Sequence, residues 1–498
     1  MIPFIILAPV VGACVLAFLK EGAPGLRYSV IVVTTMASFI ASLYAIPNFY
    51  SSTGAEIDII QSSWVGVHFA IDRLSLSMIV LSTFLFFLCA ICGVFSSACG
   101  VCREDEYSFF ALILLLESLV LGVFSVHTSI MFYVFFEASL IPMFFMIGFW
   151  GHGDKIGAAF KFLIYTATAS LLFLIALVYS HFFSLEVFES FYRVASVSDV
   201  LPPGVRFSLW AACFFAFAVK LPMVPWHTWL PKAHVQAPTL GSVLLAGLLI
   251  KMGGYGFLRF CISAFPDVSL TLAEFVVYLS AVSLIYSSLV AYAQKNMKTL
   301  IAYSSVAHMG LVSAGIFSLN ESGILGAVFQ MISHGLISAA LFLCVGIIYS
   351  RAGTLEMSKC GGLASSMPKL SSMMIFFSMA SVGLPGTSGF VGEFLSILGI
   401  FQTYRFAAVL FAVGVVLSAA YMLRLCREVI WGSSPAGAPI IDKDINTWEL
   451  YVLGILAALV LLLGILPYPL ISFLKPWVSD ILHGIAEVSD ILGVERVL

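Results

Sequence analysis

Apolar runs of roughly twenty residues recur along this chain, each long enough to carry a helix across a bilayer. That pattern leaves little choice of fold. In lipid the backbone must satisfy its own hydrogen bonds, which admits helices or closed barrels. A barrel would show short alternating segments, and these runs are continuous. Only 10% of residues are charged and 61% are hydrophobic, whereas about a quarter of a soluble domain is charged. The expected fold is an all-α polytopic membrane protein. A net charge of −3 argues against nucleic acid or any strongly charged partner.

About fourteen spans fit the length a bilayer requires. They lie near 1–19, 28–46, 74–97, 107–126, 129–150, 157–183, 207–228, 237–260, 271–293, 299–318, 321–350, 370–400, 406–431 and 448–474. The longest polar connections, about 47–72 and 185–206, leave no room for a soluble domain. Loop charge sets the orientation. Fourteen basic residues fall in one set of alternate loops: Lys20, Arg27, Arg103, Lys155, Lys161, Lys232, Lys295, Lys298, Arg351, Lys359, Lys369, Arg424, Arg427 and Lys443. Seven fall in the other set: Arg73, Arg193, Arg206, Arg259, Arg405, Lys475 and Arg496. The positive-inside rule puts the first set in the cytoplasm or its equivalent. Both termini are then outside. The apolar N-terminal run lacks the charged region that opens a signal peptide and is read as the first span.

Four ionisable residues sit inside these runs: Glu137, Lys220, Lys251 and Glu393. A charge at bilayer depth costs about 3 kcal/mol on insertion scales, so such groups mark ion or proton paths. Two runs are also interrupted. Lys220-Leu-Pro222-Met-Val-Pro225 breaks the seventh span, and Gly383-Leu-Pro385-Gly386-Thr-Ser-Gly389 breaks the twelfth. Freed backbone groups at that depth must meet protein or a hydrated cavity. Interrupted spans in matching positions of two halves point to two inverted five-helix repeats, spans 4–8 (residues 107–260) and 9–13 (residues 271–431). Residues 1–106 would form three leading spans, and 448–498 the fourteenth span with a tail. Glu137 and His308 then occupy equivalent spans, the fifth and tenth.

Other signals carry less. Cys89-x-x-Cys92 and Cys99-x-x-Cys102 imitate a paired metal motif. The first pair lies in an apolar run, whereas zinc ligands are presented by turns. The other six cysteines are scattered and are read as small hydrophobes. There is no phosphate-binding loop or dinucleotide fingerprint, so no cofactor is expected on this chain. His152, His227 and His234 fall near span ends and are read as surface or loop residues. Glu117, inside the fourth span, is a possible further proton-carrying group.

The strings FFEASLIPMFF, AFAVKLPMVPWHTWLPKAHVQAPTLGSVLLAGLLIKMGGYGFLRF, QKNMKTLIAYSSVAHMG, FQMISHGLISAALF and LPGTSGFVGEFL resemble the antiporter-like membrane subunits of respiratory complex I. The resemblance runs over nearly the whole chain and is strongest to the M-type. The L- and N-types are expected to carry Lys on the twelfth span, where this chain has Glu393. The L-type is longer, with a lateral C-terminal helix, whereas this chain stops soon after its fourteenth span. The resemblance implies a coupled pair, Glu137 and Lys220, a central lysine, Lys251, relay histidines, His308 and His334, and a terminal proton-transfer residue, Glu393. It also implies NADH, flavin, iron–sulfur clusters and quinone on partner subunits, and flanking L- and N-type neighbours.

The expected function is proton translocation in the membrane arm of an NADH:quinone oxidoreductase. A subunit of a multi-chain sodium/proton antiporter is the alternative, and a scaffold whose charges only pin helices is a third. The expected location is a bacterial plasma membrane, with the mitochondrial inner membrane as alternative.

Overall fold

The computed structural model describes residues 2–19, 24–51, 60–64, 67–96, 106–183, 201–433 and 443–492. Lys20, Cys99, Cys102, Arg103, Arg193 and Arg496 lie outside the described residues. Eleven of the described helices are long and apolar enough to cross a membrane, so this is an all-helical multi-pass membrane protein. The other three sequence spans fall in shorter helices. Ile2–Phe18 has 17 residues. The seventh span is the helix Pro203–Lys220, which stops before Pro222. The twelfth is split into Pro368–Ser381 and Ser388–Thr403.

Helix limits follow local chemistry. Asp72, Asn296 and Asn320 cap Arg73–Phe95, Met297–Phe317 and Glu321–Ala352 by accepting a first-turn backbone N–H. Asn446 and Glu449 form a reciprocal capping box on Thr447–Ile465. That helix ends earlier than 474. Leu466 precedes Pro467, which disfavours a helical conformation there. A separate helix, Tyr468–Leu492, then follows. The polar connection at 47–72 contains a hairpin, Ile60–Trp64 against Val67–Ile71. Phe69 bridges to Val126 and ties the hairpin to the end of Glu106–Ser125.

The helices differ in how far protein encloses them. The most apolar stretches of Thr239–Ile262 and Glu321–Ala352 are wholly buried, and that of Met297–Phe317 is 94% buried. Those of Gly25–Tyr44 and Thr447–Ile465 are only 22% and 28% buried. Glu321–Ala352 is the hub. It packs against Met297–Phe317, Pro368–Ser381, Ser388–Thr403, Thr239–Leu244 and Arg73–Phe95.

Candidate functional site

The three most enclosed helices carry Lys251, His308 and His334, so no lipid faces these groups. Lys251 is 1% exposed. Its segment, Lys251–Gly256, lies between two π-helical stretches, Leu245–Leu249 and Phe257–Ile262. Such wide turns recur at functional sites because they alter backbone bonding and side-chain register. Lys251 Nζ donates to the Ala246 carbonyl and lies 2.7 Å from His334 Nδ1. The His334 and His308 rings are 5.5 Å apart between centroids. His308 Nδ1 is 3.2 Å from Glu393 Oε1, and its Nε2 is 3.3 Å from the Ser381 hydroxyl. Lys251, His334, His308 and Glu393 thus form one buried line.

Glu393 stands opposite the gap between the two helices of the twelfth span. Gly383 and Gly386 turn the chain there with φ of +83° and +92°. A Cβ on Gly383 would lie 2.5 Å from Glu393 Oε2, so the missing side chain makes room for the carboxylate. Gly389 allows close approach to the Ala380 carbonyl. At the other break, Pro222 and Pro225 have no N–H to give. Trp229 Nε1–H donates to the Val219 carbonyl at 3.0 Å, and the Val224 N–H donates to Ser283 Oγ at 3.2 Å.

Lys220 is placed differently. It is 2% exposed, and its ammonium sits 4.5 Å from the centre of the Phe136 ring. It makes no hydrogen bond, and neither does Glu137 Oε1. The half-buried Glu137 faces Ser170. The two residues are neighbours through Phe136 but do not close an ion pair. Gly253 brings Lys251–Gly256 against this helix end: a Cβ there would lie 2.6 Å from the Leu221 nitrogen. Glu117 is fully buried, both its oxygens lack hydrogen bonds, and it stands apart from the line beside Ser38.

Four assignments from loop position change. Arg259 is fully buried and pairs with Asp72 at 2.6 Å. Lys298 is 1% exposed and donates to the Ala237 carbonyl at 2.8 Å. His227 is buried between Tyr286 and Tyr303. His234 is fully buried and stacked on Phe342, and neither ring nitrogen has a hydrogen bond. It lies within electrostatic reach of both Lys298 and Lys251. Span-end position misled here because the structure folds these ends inward. Tyr421, also missed, is buried near Glu393 with an unbonded hydroxyl. A polar residue in an apolar run was the available signal for it.

Among the described residues, no cluster of His, Cys, Asp and Glu is suited to a metal. Cys89 and Cys92 are buried within one helix.

A bundle with ionisable groups lined up in its most enclosed helices has the build of a membrane subunit that moves ions, since charges at that depth mark ion or proton paths. Residues 127–418 match the family described as NADH:quinone oxidoreductase/Mrp antiporter, TM. The subunit M of NADH-quinone oxidoreductase from Rhodobacter capsulatus is 43% identical, covering 96% of this chain and 95% of that protein. Subunit M from Rickettsia conorii is 42% identical, over 91% of this chain and 92% of the relative. A chain of respiratory complex I from Thermus thermophilus superposes with a TM-score of 0.85 at 31% identity, covering 97% of this chain and all of that one. The chain belongs to this family and, within it, to the M subunits of NADH-quinone oxidoreductase, the proton-translocating subunits of the complex I membrane arm.

Proposed function

We propose that protons cross this subunit along Lys220, Lys251, His334, His308 and Glu393, with Glu137 setting the proton affinity of Lys220. The observation that carries this reading is the line from Lys251 Nζ to Glu393, linked at 2.7 Å and 3.2 Å at its two ends. An imidazole passes a proton because it accepts on one nitrogen and releases from the other. The proton affinity of a buried lysine depends on whether a carboxylate is close. Lys220 rests on Phe136 without an ion pair, so a small approach by Glu137 changes that affinity. Lys298 and His234 lead from the cytoplasmic end toward Lys251.

The breaks at Pro222 and Pro225 and at Pro385, Gly386 and Gly389 expose backbone polar groups beside the two ends of this route. Their matching positions support two inverted repeats, residues 107–260 and 271–431, in a fourteen-span protein flanked by residues 1–106 and 448–498. The cargo is the proton: the line is built of Lys, His and one carboxylate, whereas a hard cation wants several converging oxygens. NADH, flavin, iron–sulfur clusters and quinone belong to partner subunits. L- and N-type subunits flank this chain in a bacterial plasma membrane.

The test is NADH-driven acidification of membrane vesicles. Lys220→Ala and Glu137→Ala complexes are expected to assemble and to lose most proton pumping and coupled quinone reduction. Wild-type pumping by an assembled Lys220→Ala complex refutes the route. Sodium uptake that tracks NADH oxidation refutes the choice of ion.

A further inference from the structure

The relay needs Lys251 Nζ within bonding distance of His334. The helix that holds Lys251 has π-helical turns on both sides, which shift its side-chain register relative to an unbroken α-helix, so the contacts that hold its rotation matter to the relay. On the cytoplasmic side Lys251 bonds the Ala246 carbonyl, which belongs to the same helix and restrains nothing outside it. On the other side lies a buried charged network. Arg259, eight residues on, donates to Asp72 Oδ1 at 2.6 Å and to Ser75 Oγ at 3.2 Å. Ser75 Oγ is 2.9 Å from the Tyr255 hydroxyl, and the Ser75 N–H donates to Asp72 at 2.8 Å. The guanidinium also lies over the Tyr255 and Trp477 rings, at 4.9 Å and 5.7 Å. Lys251 and Tyr255 are four residues apart in the α-helical segment, which puts them on one face, and the Arg259 guanidinium reaches back over the Tyr255 ring. The network therefore ties that face to the start of Arg73–Phe95 and to the Tyr468–Leu492 helix.

Stability alone is a poor reason for this network. A fully buried ion pair seldom stabilises more than apolar residues of similar volume. What it supplies is direction, because a planar guanidinium fixes orientation as well as distance.

We infer that Arg259 and Asp72, with Tyr255 and Ser75, are positioning residues for Lys251: they hold the rotation of its helix so that Nζ meets His334. This rests on the proton route proposed above. The experiment uses assembled complex in membranes and measures NADH-driven quinone reduction and acidification per NADH oxidised, both normalised to assembled complex. Lys251→Met tests the route itself and is expected to stop pumping. Arg259→Gln is expected to slow turnover per assembled complex about tenfold or more, the scale on which a misplaced reacting group acts. Arg259→Lys is expected to recover part of it. A fold-only role would lower the amount of assembled complex and leave turnover and protons per NADH unchanged in what remains. If Arg259→Gln does not assemble, Arg259→Lys and Tyr255→Phe decide, both expected severalfold slow. Wild-type turnover and pumping in the assembled variants, with Lys251→Met inactive, overturns the positioning role and leaves the route intact. Wild-type pumping by Lys251→Met overturns the route.

Discussion

Replacing Glu393 by Gln separates the shape of the carboxylate from its proton. The side chain is buried, its Oε1 lies 3.2 Å from His308 Nδ1, and its Oε2 fills the space beside Gly383. Gln fills that space equally and keeps an oxygen to accept from the imidazole N–H. The stability at stake is the difference between a charged and a neutral hydrogen bond, about 1 kcal/mol. That is small against the 5–15 kcal/mol of a typical fold, so assembly is expected to persist. The rate is at stake on another scale. A positioned proton-transfer group contributes typically ~10²–10⁴-fold, so turnover is expected to fall at least about a hundredfold. The assay is NADH-driven quinone reduction in membranes, normalised to assembled complex. Equal turnover in Glu393→Gln and wild type refutes the proton-carrying role. A loss of assembled complex with unchanged turnover refutes it too, because it assigns Glu393 to the fold.

Other substitutions test neighbouring parts of the argument. Glu393→Lys is expected to keep more activity than Glu393→Ala if lysine serves this place in sister subunits; equal rates sink that analogy. Gly383→Ala puts a Cβ 2.5 Å from Glu393 Oε2 at φ +83°, so slowed turnover is expected along with a backbone penalty of about 1 kcal/mol. His234→Phe keeps the stack on Phe342 and removes both ring nitrogens; slower pumping per assembled complex is expected, and an unchanged rate removes His234 from the uptake path. Glu449→Ala breaks a buried pair to Arg351, 2.6 Å long, and a capping box. Removing one partner of a buried pair costs about 3–5 kcal/mol, so native gels are expected to show less assembled complex with normal turnover in the remainder.

The helical plan was legible because hydrophobic length is a strong signal, and because Pro222 and Pro385 mark interruptions that only special surroundings tolerate. Two members of the buried line, Lys251 and Glu393, stood out because they sit in apolar runs where a charge has no passive explanation; His334 was named only from the family resemblance. Position near a span end was the weak signal. His234, Lys298 and Arg259 all looked like boundary residues, yet each is buried, because the segments holding them fold back into the bundle or end against another helix. A linear count of loop charges cannot see that. Nor could it see that Glu137 and Lys220 stand either side of a Phe136 contact rather than in an ion pair. The sequence places two opposite charges in neighbouring spans, but side-chain geometry decides whether they meet.

The enclosure of these charged helices bears on how such a chain is made. Thr239–Ile262 has a mean hydropathy of 1.5, against 2.6 for Arg73–Phe95, and it carries Lys251 and Arg259. Each such charge costs roughly 2.5–3.5 kcal/mol when a helix leaves the translocon alone. The partners that offset this cost lie on both sides in synthesis order. Asp72 is already made when Arg259 emerges, whereas His334 comes more than seventy residues after it. Arg259 therefore enters the bilayer with its counter-charge waiting, and Lys251 enters before its partner exists. The helix is secured first at its Arg259 end, and the Lys251 end is completed only when Glu321–Ala352 arrives.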